Sequence, residues 1–566
     1  MPPEGGQERN LDQLMREMKL APVLTRLFAQ RWEKDAAAAD AFLRCGLDHA
    51  DGLTGAPALQ TVLDRLQHAR KDGEQVLFYG DYDVDGVIAT TIMFRTAQHL
   101  GVKANYFLPS RFNEGYGMNE RTVRRAADND YKLIVALDCG TANHQEIELA
   151  RRLGIDVLVV DHHESAAGPP EVPIINPHLE HTADPLCTAG LTYFLSGAWL
   201  GAAGQDPTLA ESHFLDLAAI ATIADIVPMV GDNFRLAHNG LPRITQTRNV
   251  GLRAFLRCLR LDGKSRLTRR DVAFNLVPHL NAAGRMAHAR LAAELMLTQD
   301  NANAVHLASR LVDLNRQRRS AQKTLDAEAK LLAEAQRDSS VLVLYKPEWN
   351  HGITGIVAAG IAGLYGKPTI LLADSSSEGS EAVASGRAPE GIDLLQTMKP
   401  ARGLFTAIGG HAAAFGGTIP VSRIDELRNV LAKVEPVVAE KPPETTGWEA
   451  ETSVEELSDP RLCDSLLRFY PFGEGHPAPR VLLRDALIER VSLIGYDSTH
   501  LELRVAGTGG SPLRVMGFRL SHLADRLRVG ERCSLVLELE VDNYRNNLSV
   551  LFRLIGLEDS IRPEQI

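Results

Sequence analysis

Acidic and histidine side chains recur at three points of the sequence, each directly after a short apolar run. The runs are VLFYG, LIVAL and DVLVV, and the side chains that follow them belong to GDYDVDG (80–86), Asp138 and the triplet Asp161-His162-His163. Carboxylates this close together repel one another, and a bound cation is the usual way to offset that repulsion. Oxygen ligands with one or two imidazoles suit Mn²⁺ or Mg²⁺ better than a structural zinc site, which favours thiolates.

The first cluster has the spacing of an alternating strand. In an extended segment side chains alternate between two faces, so we expect Asp81, Asp83 and Asp85 to project to one side. A calcium loop would need glutamate at its twelfth position, where this chain has Ile92. A single D-x-D run is more often a polar loop with helix-capping aspartates. Three clusters at the carboxyl ends of predicted parallel strands favour a site instead, because open α/β sheets place their sites at that edge.

Asp225 is a fourth candidate for this site. It follows the strongly apolar run LAAIATIA, where a solvated surface carboxylate is not expected. Two cations held by such a set of carboxylates would activate water and clamp a phosphoryl group during in-line displacement. The residue types and their spacing therefore indicate phosphoester hydrolysis.

The elements that must position these residues follow from the apolar pattern. From Gln75 onward, short apolar strands alternate with helical segments, which predicts an α/β fold with a doubly wound parallel sheet. The run from Asn301 to Asp338 contains no proline or glycine and predicts a long helix joining two lobes. A smaller α/β pattern follows, and five short strands near the end would suit an OB-type β-barrel. The predicted domains are 1–71 (helical accessory segment), 72–300 (catalytic domain), 301–338 (connecting helix), 339–437 (smaller α/β domain) and 448–566 (OB-type domain), with a linker at 440–447.

Composition narrows the class of protein. The chain has 566 residues, of which 45% are hydrophobic and 23% are charged, and these values exclude bulk disorder and collagen-like or coiled-coil architectures. No stretch approaches the ~20 apolar residues that span a bilayer, and the polar start lacks the apolar region of a signal peptide. The six cysteines are scattered, without a C-x-x-C pair. We therefore expect a reduced, cytoplasmic enzyme without a membrane partner.

The charge is unevenly distributed. The net charge of −11 alone would argue against a polyanionic partner. Between Arg235 and Lys330, however, 18 basic and 7 acidic residues give a net of +11, so the rest of the chain carries −22. The runs KSRLTRR (264–270) and NRQRRSAQK (315–323) concentrate this positive charge. A solvated helix face is the usual meaning of such runs, but their position between two lobes favours a track for a single-stranded backbone, with Tyr544 available to stack bases.

Several motifs resemble those of a known family. GDYDVDG, ALDCG, VDHHE and ATIADIVP, in this order and spacing, resemble the four motifs of the DHH phosphoesterase superfamily. HLNAAGRM (279–286), HGITGIVAAGIA (351–362), SGRA (385–388) and IGGHAAAFG (408–416) are similar to the core and the DHHA1 companion domain of RecJ-type single-strand-specific exonucleases. SRFNEGYGMN and FYPFGEGHPAP resemble that family's loop after the second strand and its approach to an OB domain. The resemblance covers nearly the whole chain from about residue 20.

The resemblance implies a role for each matching residue. The metal ligands would be Asp83, Asp85, Asp138, His162 and Asp225. The catalytic residues would be His163, placed against the scissile phosphate, together with Arg285 and a supporting Asp81. The nucleic-acid-binding residues would be Arg111, Tyr116, Asn281, Arg285, Ser385, Arg387, Gly410 and His411.

The chain departs from the family pattern in three places. His279 stands where the family usually has arginine in P-R-[IL]-N-A-A-G-R, and SGRA replaces the commoner S-x-R-S. PLCTAGLTYF (185–194) only loosely follows P-F-x-x-L-[AC]-G-x-G. None of these positions is a predicted ligand, so we expect effects on substrate affinity or terminal preference and not on activity itself.

The resemblance also implies a reaction. It implies an exonuclease that digests single-stranded DNA from 5′ to 3′, releases 5′-mononucleotides with two divalent cations, Mn²⁺ or Mg²⁺, and acts in DNA repair and recombination. A monomer is expected, with a single-stranded-DNA-binding protein as a candidate partner. Short-oligonucleotide phosphodiesterases and manganese pyrophosphatases share the acidic motifs, but they are much shorter and lack the long helix and the β-rich module. A catalytically dead replication scaffold is the rival of another class, and it would be expected to have lost ligand positions that are all occupied here.

Overall fold

The N-terminal helices contact both the first lobe and the C-terminal module. The computed structural model describes residues 19–31, 39, 42, 45–50, 52–165, 168–180, 185–375, 379–438, 447–495, 497–507, 512–544 and 546–560. The first two helices are α1 (Pro22–Arg31) and α2 (Leu59–Asp72). In α1, Arg31 Nε lies 2.5 Å from Glu449 Oε2, so this helix is fastened to the C-terminal module.

The first sheet has five parallel strands in the order β2-β1-β3-β4-β5. The strands are β1 (Gln75–Tyr79), β2 (Lys103–Phe107), β3 (Tyr131–Leu137), β4 (Asp156–Val160) and β5 (Ile174–Ile175), and the crossover helices are α3 (Val84–His99), α4 (Glu120–Asp128) and α5 (His144–Arg152). Alternate residues of β1 belong to two separate apolar cores, with Phe78 on one face and Tyr79 on the other. The sheet is therefore covered on both faces, and the predicted doubly wound architecture is confirmed.

A group of helices completes the first lobe. These are α6 (Pro177–Glu180), α7 (Thr188–Ala202), α8 (Leu209–Ala224), α9 (Gly231–Ile244), α10 (Val250–Cys258), α11 (Val277–Met286) and α12 (Arg290–Leu297), with a π-helical turn at Asp271–Leu276 before α11. Helices α10 and α12 approach closely at Gly251, where a Cβ atom would lie 1.6 Å from the Leu295 carbonyl oxygen. Only glycine fits there, which explains why the first turn of α10 carries a residue of low helix propensity.

A long helix, α13 (Asn301–Ala335), joins the two lobes. Leu307 and Leu311 in its first half pack into the core of the first lobe. Leu325 and Ala329 in its second half pack into the core of the second lobe. The predicted connecting helix is thus anchored at both ends, and burial at each end holds the lobes in one arrangement.

The second lobe contains a mixed sheet in the order β10-β11-β8-β7-β6. Its elements are β6 (Leu342–Tyr345), α14 (His351–Tyr365), β7 (Thr369–Asp374), β8 (Glu381–Arg387), β9 (Ile392–Asp393), α15 (Leu394–Thr397), β10 (Ala407–His411), β11 (Ala414–Pro420), α16 (Ile424–Leu431) and β12 (Val437–Val438). Strands β6 and β7 are parallel, while the pairs made by β8, β10 and β11 are antiparallel. Helix α14 is the predicted crossover between β6 and β7.

A closed barrel ends the described chain. Its approach contains β13 (Ala450–Thr452), α17 (Val454–Leu457) and α18 (Leu462–Leu467), and its strands are β14 (Arg480–Ile494), β15 (His500–Ala506), β16 (Leu513–Gly517), β17 (Arg532–Tyr544) and β18 (Asn547–Leu557). Strand β14 pairs with β15 along one part and with β17 along another, which closes five strands into a barrel. The predicted OB-type barrel is confirmed. In the part of the chain that the structure describes, no helix combines the length and apolar character that crossing a membrane requires.

The basic run KSRLTRR holds the barrel against the first lobe. Lys264 Nζ donates to Asp271 Oδ1 at 2.7 Å and to the Asn543 carbonyl oxygen at 3.0 Å. Asn543 Nδ2 in turn donates to the Arg266 carbonyl oxygen at 2.6 Å. The first half of this run therefore serves in docking the β17–β18 hairpin, whose tip carries the exposed Tyr544. The track for a single-stranded backbone stays a prediction.

His476 lies in the seam between the barrel and the first lobe. Its side chain is buried against the rings of Phe42, Phe234 and Phe472, and Nε2 lies 2.6 Å from the Phe469 carbonyl oxygen. Burial lowers the pKa of His476 to about 4 from its ordinary value of 6.5. The folded protein therefore keeps this imidazole neutral at a pH where the unfolded chain binds a proton.

This difference predicts a loss of stability in mild acid. Because the unfolded state takes up the proton first, the stability that neutral His476 contributes is fully present above pH 6.5 and is lost as the pH falls towards 4. The loss is up to about 3 kcal/mol, from 1.36 kcal/mol per pKa unit. Chemical denaturation of wild type and His476→Gln should show that the difference between their free energies of unfolding becomes smaller as the pH falls through this range. A gap that stays constant with pH would contradict the prediction.

Candidate metal centre and substrate cleft

Three strands of the first sheet end at one edge, and the acidic clusters follow there. Tyr79 of β1 is aligned with Ala136 of β3, and Leu137 of β3 with Val160 of β4. Asp138 has a φ of 64°, in the left-handed region, and its N–H donates to the Val160 carbonyl oxygen at 3.0 Å. The clusters are thus brought together by the parallel register of the sheet, as predicted.

The acidic loop differs in detail from the predicted extended segment. Helix α3 begins at Val84, so Asp83 is its N-cap and accepts from the N–H groups of Asp85 at 2.9 Å and Gly86 at 3.2 Å. The expectation of an extended segment was wrong beyond Asp83, because the chain turns there into the helix that Asp83 caps. Gly86 is required at this turn, since a Cβ atom would lie 2.6 Å from the Asp81 amide nitrogen.

The turn divides the donor atoms into two main groups. Ligand atoms of Asp81, Asp83 and Asp138 lie within 4.8 Å of one another, and so do those of Asp85, His162 and Asp225. A third grouping of Asp138, His162 and His163 links them. His162 Nε2 lies 3.5 Å from both Asp138 Oδ1 and Asp225 Oδ2, and 3.8 Å from Asp85 Oδ2. Asp225 reaches this position as the C-cap of α8, not from a strand.

The carboxylates have raised pKa values, which favour binding of positive charge. Burial, with repulsion from Asp83 and Asp138, raises the pKa of Asp81 well above its ordinary value. Burial likewise raises the pKa of Asp85, with repulsion from Asp138 and Asp225 adding to it. Burial also raises the pKa of Asp225 to about 7. Asp81 Oδ1 is buried and accepts no hydrogen bond from the described residues. This donor set therefore fits a divalent cation, which would offset the repulsion and satisfy the free oxygen.

The two histidines have different partners. Burial lowers the pKa of His162, but its interactions with Asp138 outweigh burial and raise the pKa to about 10. Burial also lowers the pKa of His163. The contact of its Nδ1 with Asp161 Oδ1 at 2.8 Å outweighs burial and raises the pKa to about 9. Asp161 Oδ2 accepts from the Thr141 hydroxyl at 2.7 Å, so the carboxylate is itself fixed. Asp161 orients His163, a role that the sequence prediction missed although Asp161 opens the D-H-H triplet.

The loop after β2 covers one side of the centre. The Tyr116 hydroxyl donates to the Asp138 carbonyl oxygen at 3.2 Å, and its ring lies 5.3 Å from that of His163. The Arg111 guanidinium lies 4.0 Å over the Tyr82 ring, and its Nε is buried without a hydrogen-bond partner among the described residues. Both predicted loop residues are therefore at the site.

Helix α11 carries Asn281 and Arg285 on one face, one turn apart. Arg285 Nη1 donates across the cleft to the Gly352 carbonyl oxygen of the second lobe at 3.1 Å. Burial, with repulsion from Arg111 and Arg318, lowers the pKa of Arg285 to about 10. The mutual repulsion of Arg285, Arg111 and Arg318 favours an anion bound among them.

The second lobe faces the same cleft through β8 and α14. Ser385 and Arg387 are two residues apart on β8 and therefore lie on the same face of the strand, next to α14. Thr354 Oγ1 of α14 donates to Ser385 Oγ at 3.0 Å. A Cβ atom on Gly355 would lie 3.0 Å from Arg387 Nη2, so glycine leaves room for this guanidinium. Burial, with repulsion from Arg111 adding to it, lowers the pKa of Arg387.

Gly410 and His411 lie farther along the second sheet. Strand β11 separates them from Ser385 and Arg387, because β10 pairs with β11 and β11 pairs with β8. Gly410 has a φ of 149°, and a Cβ atom there would lie 2.3 Å from the Ala414 carbonyl oxygen. The side chain of His411 lies outside the described part of the structure. The structure does not bring Gly410 against the two β8 residues.

Two further cleft residues were missed by the sequence prediction. The rings of Phe112 and His351 stack with centroids 4.9 Å apart and so bridge the two lobes. Both residues lie in motifs that carry the family resemblance, but ring stacking between lobes leaves no signal in sequence spacing. Their contact narrows the cleft beside the acidic centre.

This geometry, a two-lobed α/β protein with an acidic centre at the strand ends and arginines from both lobes, is that of the DHH phosphoesterases with a DHHA1 domain. Residues 75–222 match the DHH family N-terminal domain, residues 338–435 the DHHA1 domain and residues 448–555 the RecJ OB domain.

Individual relatives agree with the domain matches. The single-stranded-DNA-specific exonuclease RecJ of Bacillus subtilis is 30% identical over 94% of this chain and 67% of its own length. The RecJ of Dickeya dadantii is 32% identical over 94% of this chain and 95% of its own length. The crystal structure of RecJ from Thermus thermophilus in complex with Mn²⁺ superposes with a TM-score of 0.73, at 26% identity, over 97% of this chain and 79% of that one.

The chain belongs to the RecJ family of exonucleases. The predicted resemblance, the fold class and the enzyme class, a metal-dependent nuclease, are thereby confirmed. Structures of the Thermus thermophilus protein hold Mn²⁺ or Mg²⁺, the cations that the donor set of this chain predicts. The roles of the individual residues stay predictions.

Proposed function

We propose that the protein hydrolyses phosphodiester bonds at the 5′ end of single-stranded DNA and releases 5′-mononucleotides. The observation that carries this proposal is the position of the acidic centre directly beside two arginines of the first lobe, one of which also interacts electrostatically with Arg387 of the second lobe. Arg111 interacts electrostatically with Asp81 and Asp83, and Arg285 interacts with Asp83. A phosphodiester bound by these guanidinium groups would place its reacting phosphorus over the carboxylates.

Two divalent cations are proposed, because the donor atoms form two main groups. One would be held by Asp83, Asp138 and, in support, Asp81, and the other by Asp85, His162 and Asp225. When bound, such cations supply an activated water and positive charge for in-line displacement at phosphorus. The protein holds the carboxylates close enough together that each pair repels, so the protein itself disfavours a centre without positive charge.

His163 and Arg285 would act on the phosphoryl group itself. Asp161 accepts from His163 Nδ1, which leaves Nε2 of a partly exposed ring facing the cleft. Asp161 also holds the protonated form of this imidazole, so Nε2–H can donate to a phosphate oxygen that gains charge in the transition state. Arg285, anchored on the Gly352 carbonyl oxygen, presents its remaining N–H groups to the same region.

The bridged cleft supports selectivity for a single strand. Phe112 stacks on His351 at 4.9 Å, and Arg285 bonds to Gly352 at 3.1 Å, so two lobes are in contact beside the centre. We expect this opening to admit one strand and to exclude a duplex. Ser385 and Arg387 on β8 of the second lobe would hold the terminal phosphate, and its identity as a 5′ end is proposed from family membership. Roles in DNA repair and recombination, a cytoplasmic location, a monomeric state and a single-stranded-DNA-binding partner are proposed from family membership alone.

Digestion of labelled DNA tests the proposal. Single-stranded and duplex oligonucleotides with a 5′-phosphate or a 5′-hydroxyl, labelled at either end, are incubated with the protein and Mn²⁺, and a chelator provides the blank. The expected product is a labelled mononucleotide released first from the 5′ end of the single strand. Release from the 3′ end, equal digestion of duplex, or hydrolysis of dinucleotides or pyrophosphate alone would contradict it.

A further inference from the structure

Helix α7 begins at the acidic centre, and its first turn contacts two of the proposed ligands. The N–H groups of Thr188 and Ala189 donate to Asp85 Oδ2 at 2.7 Å and Oδ1 at 2.8 Å. The first N–H groups of a helix have no partner within the helix, so a carboxylate is well placed there. Any residue type except proline would supply these backbone bonds.

The side chain of Thr188 adds a bond that only a hydroxyl supplies. Its Oγ1 donates to Asp138 Oδ1 at 3.0 Å, and both residues are buried. Oδ1 is also the oxygen 3.5 Å from His162 Nε2, so the hydroxyl supports the carboxylate that links the two donor groups. The hydroxyl thereby restricts the orientation of the Asp138 carboxylate, which follows a backbone of left-handed φ (64°).

The residue that makes this bond departs from the family's sequence pattern. The stretch Leu186-Cys187-Thr188-Ala189-Gly190 follows L-[AC]-G-x-G except at Thr188, where that pattern has glycine. A glycine would leave the backbone bonds to Asp85 in place and would remove the bond to Asp138. Thr188, the residue that departs from the family pattern, therefore contacts a proposed metal ligand, Asp138.

We propose that Thr188 is a positioning residue that fixes the orientation of Asp138 and thereby raises the affinity of the centre for divalent cations. The inference depends on the proposed metal site. Residues that hydrogen-bond to metal ligands change metal affinity by about 10- to 100-fold when removed, because they hold the ligand in the geometry that binds. The hydroxyl of Thr188 has this relation to Asp138.

Mn²⁺ binding to Thr188→Ser and Thr188→Ala tests the inference, because these variants differ by one oxygen atom. Binding is measured from the paramagnetic resonance signal of free Mn²⁺, without substrate. We expect Thr188→Ser to bind within about twofold of wild type and Thr188→Ala to bind about tenfold more weakly. The Mn²⁺ concentration for half-maximal nuclease activity should rise with Thr188→Ala, while kcat at saturating Mn²⁺ recovers.

Thr192→Val is the matched control. Thr192 is buried on the same helix, and its hydroxyl donates to the Ala189 carbonyl oxygen at 3.0 Å and to no carboxylate of the described residues. This variant should lower the unfolding temperature and leave Mn²⁺ affinity unchanged. Thr188→Gly, the residue of the family pattern, is a second variant without the hydroxyl in case Thr188→Ala does not fold.

The outcomes separate the inference from the function on which it depends. Failure of the wild type to bind Mn²⁺ would overturn the proposed metal site. Equal Mn²⁺ affinity of the serine and alanine variants, or a loss in Thr192→Val as large as in Thr188→Ala, would overturn the role of Thr188 while leaving the metal site intact. A loss of Mn²⁺ affinity in Thr188→Ala and Thr188→Gly, but not in Thr188→Ser or Thr192→Val, supports the inference.

Discussion

Replacing Asp138 by asparagine should reduce Mn²⁺-dependent release from 5′-labelled single-stranded DNA by at least about a thousandfold, the scale of losing transition-state charge stabilisation. Asp138 is the carboxylate that links both donor groups, and its Oδ1 contacts His162 at 3.5 Å. Asparagine keeps the shape of the side chain and tolerates the left-handed backbone at this position, so the loss reports charge and not folding. Alanine should lose as much activity and, in addition, some stability.

Asp156→Ala is the matched control for this prediction. Asp156 begins the strand that Asp161 follows, but it lies at the opposite edge of the sheet, where it pairs with Arg65 at 2.7 Å. Its side chain is largely exposed, so its removal should change activity by less than about twofold, as expected of surface ion pairs. Activity of Asp138→Asn near that of the wild type, at any Mn²⁺ concentration, would show that the centre has been assigned wrongly.

Replacing His163 by glutamine should lower kcat by about a hundred- to a thousandfold, the usual effect of removing one donor to a developing oxyanion. His163 contacts Asp161 through Nδ1 and leaves Nε2 to the cleft, so its proposed role is towards the phosphate. Mn²⁺ affinity should change little, because His163 belongs to neither of the two main donor groups that are proposed to hold the cations. Single-turnover digestion and Mn²⁺ titration together measure the two effects.

Two further variants sharpen this second prediction. Asp161→Asn should give a smaller loss than His163→Gln, because it releases the imidazole without removing it. His68→Gln, an exposed histidine on α2, should behave as wild type. A loss of Mn²⁺ binding in His163→Gln equal to its loss of rate would mean that this imidazole is a metal ligand and not a contact to the phosphate.

Local pattern predicted the elements of this protein well because each element buries its own apolar residues. The parallel strands β1, β3 and β4, the long helix α13 and the five barrel strands all lie where apolar runs and the absence of proline or glycine indicated them. The edge that carries the acidic centre was equally predictable, since parallel strands must end together. Asp225 was identified from the apolar run before it and from the motif ATIADIVP, although its position at the end of α8 was not predicted.

Contacts between distant segments could not be predicted in the same way. The docking of KSRLTRR on the barrel depends on Asn543, which is 279 residues from Lys264. The stack of Phe112 on His351 depends on how α13 sets the two lobes. Neither contact leaves a periodic signal, because side chains far apart in sequence meet only after the lobes have packed.

The amino-acid sequence by itself determined the family, the fold class and the chemistry of the donor set, because motifs and apolar periodicity are local properties. Tertiary structure decided how those donors divide. The cap at Asp83 turns Asp85 away from Asp81, and α8 brings Asp225 to the second group. It also decided that Thr188 meets Asp138 across 50 residues of chain. Which oxygens share one cation is a matter of distances of a few ångströms, and only the packed helices and strands set those distances.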